Sequence, residues 1–276
     1  MTLNKALTIA GSDTSGGAGI QADLKTFQEL EVFGTSVITA LTAQNTLGVS
    51  GVLPTEVNFV EKQFLALLED FQISAIKTGM LFSSDIIQKV ATIISGLEIS
   101  LIVDPVMIAK GGENLLQQEA VQALRTHLLP IATVLTPNIP EAEVLTDMKI
   151  ETVHDIHQAA QSLLQLGVQC VVIKGGHLTD EKYATDYVFF NNGRSFTMQS
   201  DRINTKNTHG TGCTFSAALT AFIAQEMPLD QAIVEAKKFI QMAITHDLAI
   251  GNGHGPTNHF AYQKHKDLCE VTVLEA

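Results

Sequence analysis

The apolar positions of this 276-residue chain fall into two alternating rhythms. Short, nearly continuous apolar runs occupy 5–10, 36–43, 73–77, 100–103, 132–136 and 169–173. Runs of that length bounded by turn residues predict buried strands. Between them, apolar residues recur every three or four positions, at 17–32, 55–70, 84–95, 117–129, 139–146 and 152–166, the spacing of amphipathic helices. In the first of these Ile20, Leu24, Phe27 and Leu30 share a face, and in the second Phe59, Phe64, Leu65 and Leu68. After residue 173 the pattern changes. Segments 185–190 and 194–199 flank Asn191-Asn192-Gly193, a hairpin turn signal. Helices are predicted over 212–225 and 229–247, and the tail from Gly251 to Pro256 is turn-rich. Strands and helices in alternation predict an α/β three-layer sandwich: a mostly parallel central sheet, helices on both faces and an antiparallel edge hairpin. No linker or internal repeat interrupts the pattern, so 1–276 reads as one domain.

Composition narrows the function classes. Apolar residues make up 45% and charged residues 17% of the chain, ordinary globular values that exclude a disordered protein. Lys plus Arg number 17 against 29 Asp plus Glu, a net charge of −12. That balance argues against nucleic acid or an anionic membrane as the partner. It leaves room for a phosphate ligand, because phosphate sites are built from backbone N–H groups and one or two lysines. The longest apolar stretch, 86–103, is broken by Gln88, Lys89, Gly96 and Glu98, and no secretory signal opens the chain, so no membrane span is expected. Cys170, Cys213 and Cys269 are far apart with no CxxC spacing. This predicts a reduced, cytoplasmic protein without disulfides or structural zinc.

The chemistry gathers at the predicted strand ends: Gly11-Ser12-Asp13, Gln44-Asn45, Thr78-Gly79-Met80, Asp104, Thr136-Pro137-Asn138 and Lys174-Gly175-Gly176. In an open parallel sheet the ligand crevice lies outside the carboxyl ends of the strands, so a site along that edge is expected. The Gly-rich segment 11–23 opens a helix, and Gly17, Gly19 and Ala22 match a dinucleotide fingerprint. Residues 11–16 intervene after the strand, however, and Gln44 stands where that motif needs an acid. No Walker-type loop is present. The segment 207–215 (NTHGTGCTF) is the most informative. Gly210 and Gly212 permit a tight turn that aims backbone N–H groups at one spot, an anion hole suited to a phosphoryl group. Cys213 at the helix start is expected to have a lowered thiol pKa and to serve as proton acceptor for a substrate hydroxyl. Asp104 and Glu141 are candidate magnesium carboxylates; a turn Asp before Pro105 and an acid favoured by a helix dipole are the alternatives. Lys174 either neutralises a phosphate or begins a surface turn. The histidines 127, 154, 157 and 246 have no ligand spacing, and Cys170 reads as packing.

Several of these stretches carry a family resemblance: LTIAGSDTSGGAGIQADLKTF, TALTAQNTLGV, IKTGML, VDPVMIAKGG, VVIKGGH and TKNTHGTGCTFSAAL. The chain resembles the ribokinase-like superfamily, and within it the bacterial hydroxymethylpyrimidine/phosphomethylpyrimidine kinases of thiamine biosynthesis, over nearly its whole length. It departs from the sugar kinases of that superfamily, which carry an Asp where Cys213 stands and insert a β-lid after the first strand. The resemblance implies ATP and magnesium as cofactors, a small-molecule substrate, and a cytoplasmic homodimer. It implies that the Gly11 backbone, Asp23 and Gln44 hold a pyrimidine, with Met80 and Val106 packed on the ring. Asp104, Asn138 and Glu141 would organise magnesium. Asn138, Lys174, Thr208, His209, Gly210 and Lys237 would contact the nucleotide. Gly210, Gly212, Cys213 and Lys174 would carry the phosphoryl transfer, in two successive steps at one site. The Lys110-Gly111-Gly112 loop would be a flap. A pyridoxal kinase of vitamin B6 salvage and a non-catalytic nucleotide- or vitamin-binding protein stand as rival readings.

Overall fold

The computed structural model describes residues 3–107, 118–175 and 182–275; the expected flap at 110–112 and Gly176 lie outside them. Ten strands form one sheet: β1 (Lys5–Asp13), β2 (Phe33–Asn45), β3 (Gly48–Pro54), β4 (Ala75–Thr78), β5 (Ser100–Val103), β6 (Val134–Leu135), β7 (Cys170–Lys174), β8 (Tyr183–Phe190), β9 (Ser195–Asp201) and β10 (Thr272–Glu275). Their order is β10-β9-β8-β7-β6-β5-β4-β1-β2-β3. From β7 through β2 all neighbours are parallel, and β3, β8, β9 and β10 pair antiparallel at the two edges.

The near-continuous apolar strands are explained by a period of two applied to two buried faces. Leu7, Ile9, Ile76, Leu101, Val103, Leu135, Val171 and Ile173 point into one core. Ala6, Ala75, Ile102, Val134, Cys170 and Val172 point into the other. The first core is covered by α2 (Val57–Leu68), α3 (Ser84–Ile94), α4 (Gln118–Ala123), α5 (Ile139–Thr146) and α6 (Val153–Leu164). After α4 the chain widens into a π turn and then tightens into a 3-10 turn that runs to Ile131. The second core is covered by α1 (Gly19–Glu29), α7 (Thr211–Ala224), α8 (Leu229–Thr245) and α9 (Tyr262–His265). The three-layer α/β sandwich is therefore the expected one.

Four features differ from the sequence reading. A ribbon of β2 and β3, the edge strand β10 and the short helix α9 were not expected. β3 buries no side chain, so no alternation marks it. The face of α2 is also rotated: Val60 and Phe64 are buried, whereas Phe59 is 57% and Leu65 43% exposed. The difference is testable. Phe64→Ala is expected to cost about 3–5 kcal/mol, and Phe59→Ala less than about 0.5 kcal/mol. Urea unfolding of the two variants checks it, and equal losses would reinstate the face read from sequence.

Candidate active site

The chain leaves β1 for β2 on one side and later returns to β4 on the other, so β1 and β4 flank a switch point at the carboxyl edge of the sheet, where crevices form. A cavity of about 590 Å³ opens there. Its wall includes Gly11, Gln44, Met80, Asp104, Val106, Asn138, Glu141, Lys174 and the run Thr208–Cys213. Six strand ends thus converge as the sequence predicts.

One wall is tied by a carboxylate. Asp13 accepts hydrogen bonds from the Ser15 hydroxyl at 2.8 Å and from the amides of Ser15, Gly17 and Ala18 at 2.8, 3.2 and 2.8 Å. His209 Nε2 meets the same carboxylate at 2.8 Å, and the Gln44 amide lies 3.2 Å from that ring nitrogen. Burial would raise the Asp13 pKa, but the bonds from His209 and Ser15 outweigh it and hold the acid below its usual range. Asp13 is placed at a strand end by the sequence but given no role by it. Its signal was there, an Asp closing a strand before Ser and Gly, but the partner that matters lies 196 residues away.

The opposite wall is α7. Gly210 caps it at φ +80°, and a side chain there would run into the Gly17 carbonyl, so the turn requires glycine. No side chain caps the first turn, and Thr211, Gly212 and Cys213 line the cavity. A helix N-terminus of this kind favours an anion. Cys213 departs from expectation. Burial pushes its thiol up to about 12, with Lys77 opposing and Asp23 and Asp104 adding to the rise. The lowering expected from the helix terminus is local; the cost of placing charge in a desolvated site outweighs it.

Charged groups line the third wall. Lys174 Nζ stands 3.4 Å from Asp104 Oδ1, and Ser216 Oγ donates to Asp104 Oδ2 at 3.1 Å. Burial would lower the Lys174 pKa, but Asp104 and Glu141 raise it, so the lysine is charged. Glu141 and Asn138 form a capping box at the start of α5: the Asn138 amide N–H donates to Glu141 Oε2, and the Glu141 N–H to Asn138 Oδ1, each at 2.8 Å. Burial raises Glu141 to about 7; Lys174 opposes that and Asp104 reinforces it. Two buried carboxylates sharing one lysine are short of positive charge. An Asp and a Glu with a neighbouring amide are the few hard oxygen donors that magnesium takes beside phosphate oxygens and water, so the residues fit that ion. No group of three or more His, Cys, Asp or Glu poised for a metal occurs among the described residues, which does not fit zinc.

Two expected ligand residues are elsewhere. Asp23 is wholly buried, bonded to both Lys77 Nζ at 2.9 Å and Thr8 Oγ1 at 2.6 Å. Its side chain is used up under the cavity wall and does not line it. Lys237 on α8 donates to Asp186 Oδ2 at 2.8 Å and to the Ala184 carbonyl at 3.2 Å. Its ammonium is likewise committed away from the cavity.

A pyridoxal kinase from Staphylococcus aureus, solved in complexes with pyridoxal, with ADP and with AMP-PCP, superposes with a TM-score of 0.91 at 36% identity over 100% of both chains. Fold and site together define a small-molecule kinase of the ribokinase-like superfamily. A family model for phosphomethylpyrimidine kinase matches residues 13–258, and the chain belongs to that family. It is 54% identical to a hydroxymethylpyrimidine/phosphomethylpyrimidine kinase of Haemophilus influenzae, over 95% of this chain and 98% of that one. It is 53% identical to the Bacillus subtilis protein of the same name, over 96% and 97%.

The Glu141 shift has a defined sign. The folded chain holds a proton up to about pH 7 that the unfolded chain releases near 4.5. Its contribution to stability is therefore greatest below pH 4.5, declines between 4.5 and 7 and is flat above. In EDTA, Glu141→Gln is expected to abolish this decline. Urea midpoints at pH 5 and 7.5 check it, and equal declines in wild type and variant would refute the assignment.

Proposed function

We propose that this cavity transfers the γ-phosphoryl of ATP to the hydroxymethyl oxygen of 4-amino-5-hydroxymethyl-2-methylpyrimidine and then phosphorylates the monophosphate to the diphosphate, in thiamine biosynthesis. The observation that carries this is the convergence of an anion-binding α7 N-terminus, a cavity cysteine and a Lys-Asp-Glu group on one cavity, in a chain whose relatives at 53–54% identity bear the name of that kinase. Phosphoryl transfer needs mostly positioning and charge stabilisation, and each wall supplies part of it. Gly210, Gly212 and the first turn of α7 receive the transferring group. Lys174 neutralises a phosphate oxygen by leaving its long contact with Asp104. Thr208, His209 and Asn138 border the nucleotide phosphates. The Gly11 backbone and Gln44 hold the ring edge, and Met80 and Val106 pack on its face. Asp104 and Glu141 would hold magnesium, which when bound would screen the phosphate charge. The resting Cys213 thiol is protonated; it first releases that proton to solvent in the open cavity, the thiolate being favoured by the positive charge near it, and Sγ then receives the hydroxymethyl proton and returns to the thiol.

The whole chain, 1–276, works as one kinase domain. Its three cysteines are unpaired, in keeping with a cytoplasmic setting. The exposed apolar residues Leu41, Val52, Leu53 and Phe59 support a homodimer. No helix among the described residues is long and apolar enough to cross a membrane. The second reading, pyridoxal as acceptor, is favoured by the Staphylococcus aureus structure with pyridoxal bound.

The acceptor is tested by magnesium-dependent ADP release with hydroxymethylpyrimidine and pyridoxal offered separately and the products weighed. Mono- and then diphosphate of the pyrimidine are expected; pyridoxal phosphate alone would move the enzyme to vitamin B6 salvage. Cys213→Ala is expected to lower kcat by on the order of 10²–10⁴ with ATP binding retained. Turnover within about twofold of wild type would remove Cys213 from proton transfer, since a general base is worth far more than that.

A further inference from the structure

Lys77 sits in the middle of β4, in the interior of the sheet, with 0% of its side chain exposed. Its ammonium donates to both Asp23 oxygens at 2.9 Å, and Thr8 of β1 donates to the same carboxylate at 2.6 Å. Burial would lower the Lys77 pKa, but Asp23, Cys213 and Asp104 together outweigh it and raise it, so the lysine is charged. None of the cavity roles assigned above uses this pair. It does not follow from stability either. A buried ion pair is costly to desolvate, and apolar residues of similar size often serve as well or better.

Its position gives it a use. Gly79, two residues on, lines the cavity, and a Cβ there would stand 3.3 Å from Lys77 Nζ. The ammonium therefore lies directly beneath the cavity floor, where α7 packs across β4 and β1. The groups facing Cys213 can be taken element by element. β4 brings Lys77; α1 brings Asp23 and the Gly19 amide; the end of β5 brings Asp104. The end of β7 brings Lys174, whose charge is favoured by the Cys213 thiolate. β1 brings the uncharged Thr8, and Lys237 of α8 is turned to Asp186. Among these, Lys77 exerts the largest influence on Cys213, larger than Asp23. Of the two opposite charges of the pair, the lysine's acts the more strongly on the thiol.

We propose that Lys77 and Asp23 are a positioning pair of the transfer reaction, in which Asp23 and Thr8 hold the Lys77 ammonium beneath the first turn of α7 so that negative charge is favoured at Cys213 and in the anion hole beside it. Fixed charge buried beneath a partly desolvated site acts more strongly than the same charge in solvent and needs no rearrangement as the reaction proceeds. The pair touches neither substrate nor nucleotide; it acts through Cys213 and the α7 amides. The proposal rests on the proton-acceptor reading of Cys213 for its catalytic consequence, and on the buried pair beneath the cavity floor with its effect on the Cys213 thiol for its electrostatic one.

The test compares wild type with Lys77→Met/Asp23→Asn, which removes both charges and keeps an acceptor for Thr8. Alkylation of the Cys213 peptide by iodoacetamide, followed by mass spectrometry from pH 7 to 10.5, reads the field at the thiol without reference to turnover. The expected result is a fall of about tenfold at each pH, one unit of thiol acidity, with kcat falling by a similar factor, KM for ATP unchanged, and the rising limb of the pH–rate profile moved to higher pH. An alkylation rate within twofold of wild type would overturn the proposal, whatever the activity. Cys213→Ala with full turnover would sink the proton-acceptor reading alone, and the alkylation comparison would still decide for or against Lys77. Should the double variant melt below the assay temperature, Lys77→Met/Asp23→Leu/Thr8→Val, which leaves no polar group of the pair unpaired, carries the same measurement.

Discussion

The site depends on one carboxylate more than on any other group. Asp13 gathers the Ser15 hydroxyl, three amides of the Gly-rich segment and the His209 ring. A buried carboxylate left without donors is expensive, and each of these donors is fixed in place by meeting it. The consequence is non-local. The segment that follows β1 and the loop that precedes α7 are drawn into contact although some 196 residues separate them. Gly17 and Gly210 then meet backbone to backbone, too closely for a side chain on Gly210. The start of α7, and with it the Gly-rich turn that lines the cavity, inherits its place from that contact.

Much of this arrangement was legible because it is periodic or local. The strands β5 and β7 and the helix α5 appear within a residue of where the apolar pattern puts them. Their buried faces leave little freedom of register, since a slip of one residue would exchange the two cores. The strand-end residues followed from the same logic. What was illegible lacked either periodicity or locality. β3 and β10 bury almost nothing, so only their hydrogen bonds to a neighbouring strand define them. On α2 the apolar residues run nearly all round the helix, and the pattern alone could not say that Val60 and Phe64 face inward. Asp23 and Lys237 belong to pairs 54 and 51 residues apart, and the acidity of Cys213 is set by everything packed around it rather than by its place on a helix.

Glu141 shows how one residue joins fold and site. Its carboxylate closes the capping box that starts α5 and, at the same time, faces Asp104 and Lys174. A cap that is also an ionisable group in a cavity ties the order of the helix to the charge in the site. The first-turn position favours the anion and burial disfavours it; here burial wins, which leaves the group ready to gain from added positive charge.

Three lysines with buried or nearly buried ammonium groups sit near the carboxyl edge of the sheet, each against an Asp of another element, yet they are not equivalent. Lys77 and Lys237 contact Asp23 and Asp186 at 2.9 and 2.8 Å, with 0% and 6% of their side chains exposed. Lys174 stands 3.4 Å from Asp104, is 15% exposed and lines the cavity. Charge-assisted bonds weaken as they lengthen past about 2.9 Å, and an ammonium that already reaches solvent loses less on changing partner. In the proposed kinase Lys174 would be the cation that trades its carboxylate for a phosphate oxygen, while Lys77 and Lys237 are held in short bonds away from the cavity lining. The same residue type, placed by the same sheet edge, thus divides into a mobile charge that can meet a ligand and fixed charges that can act only through what lies above them.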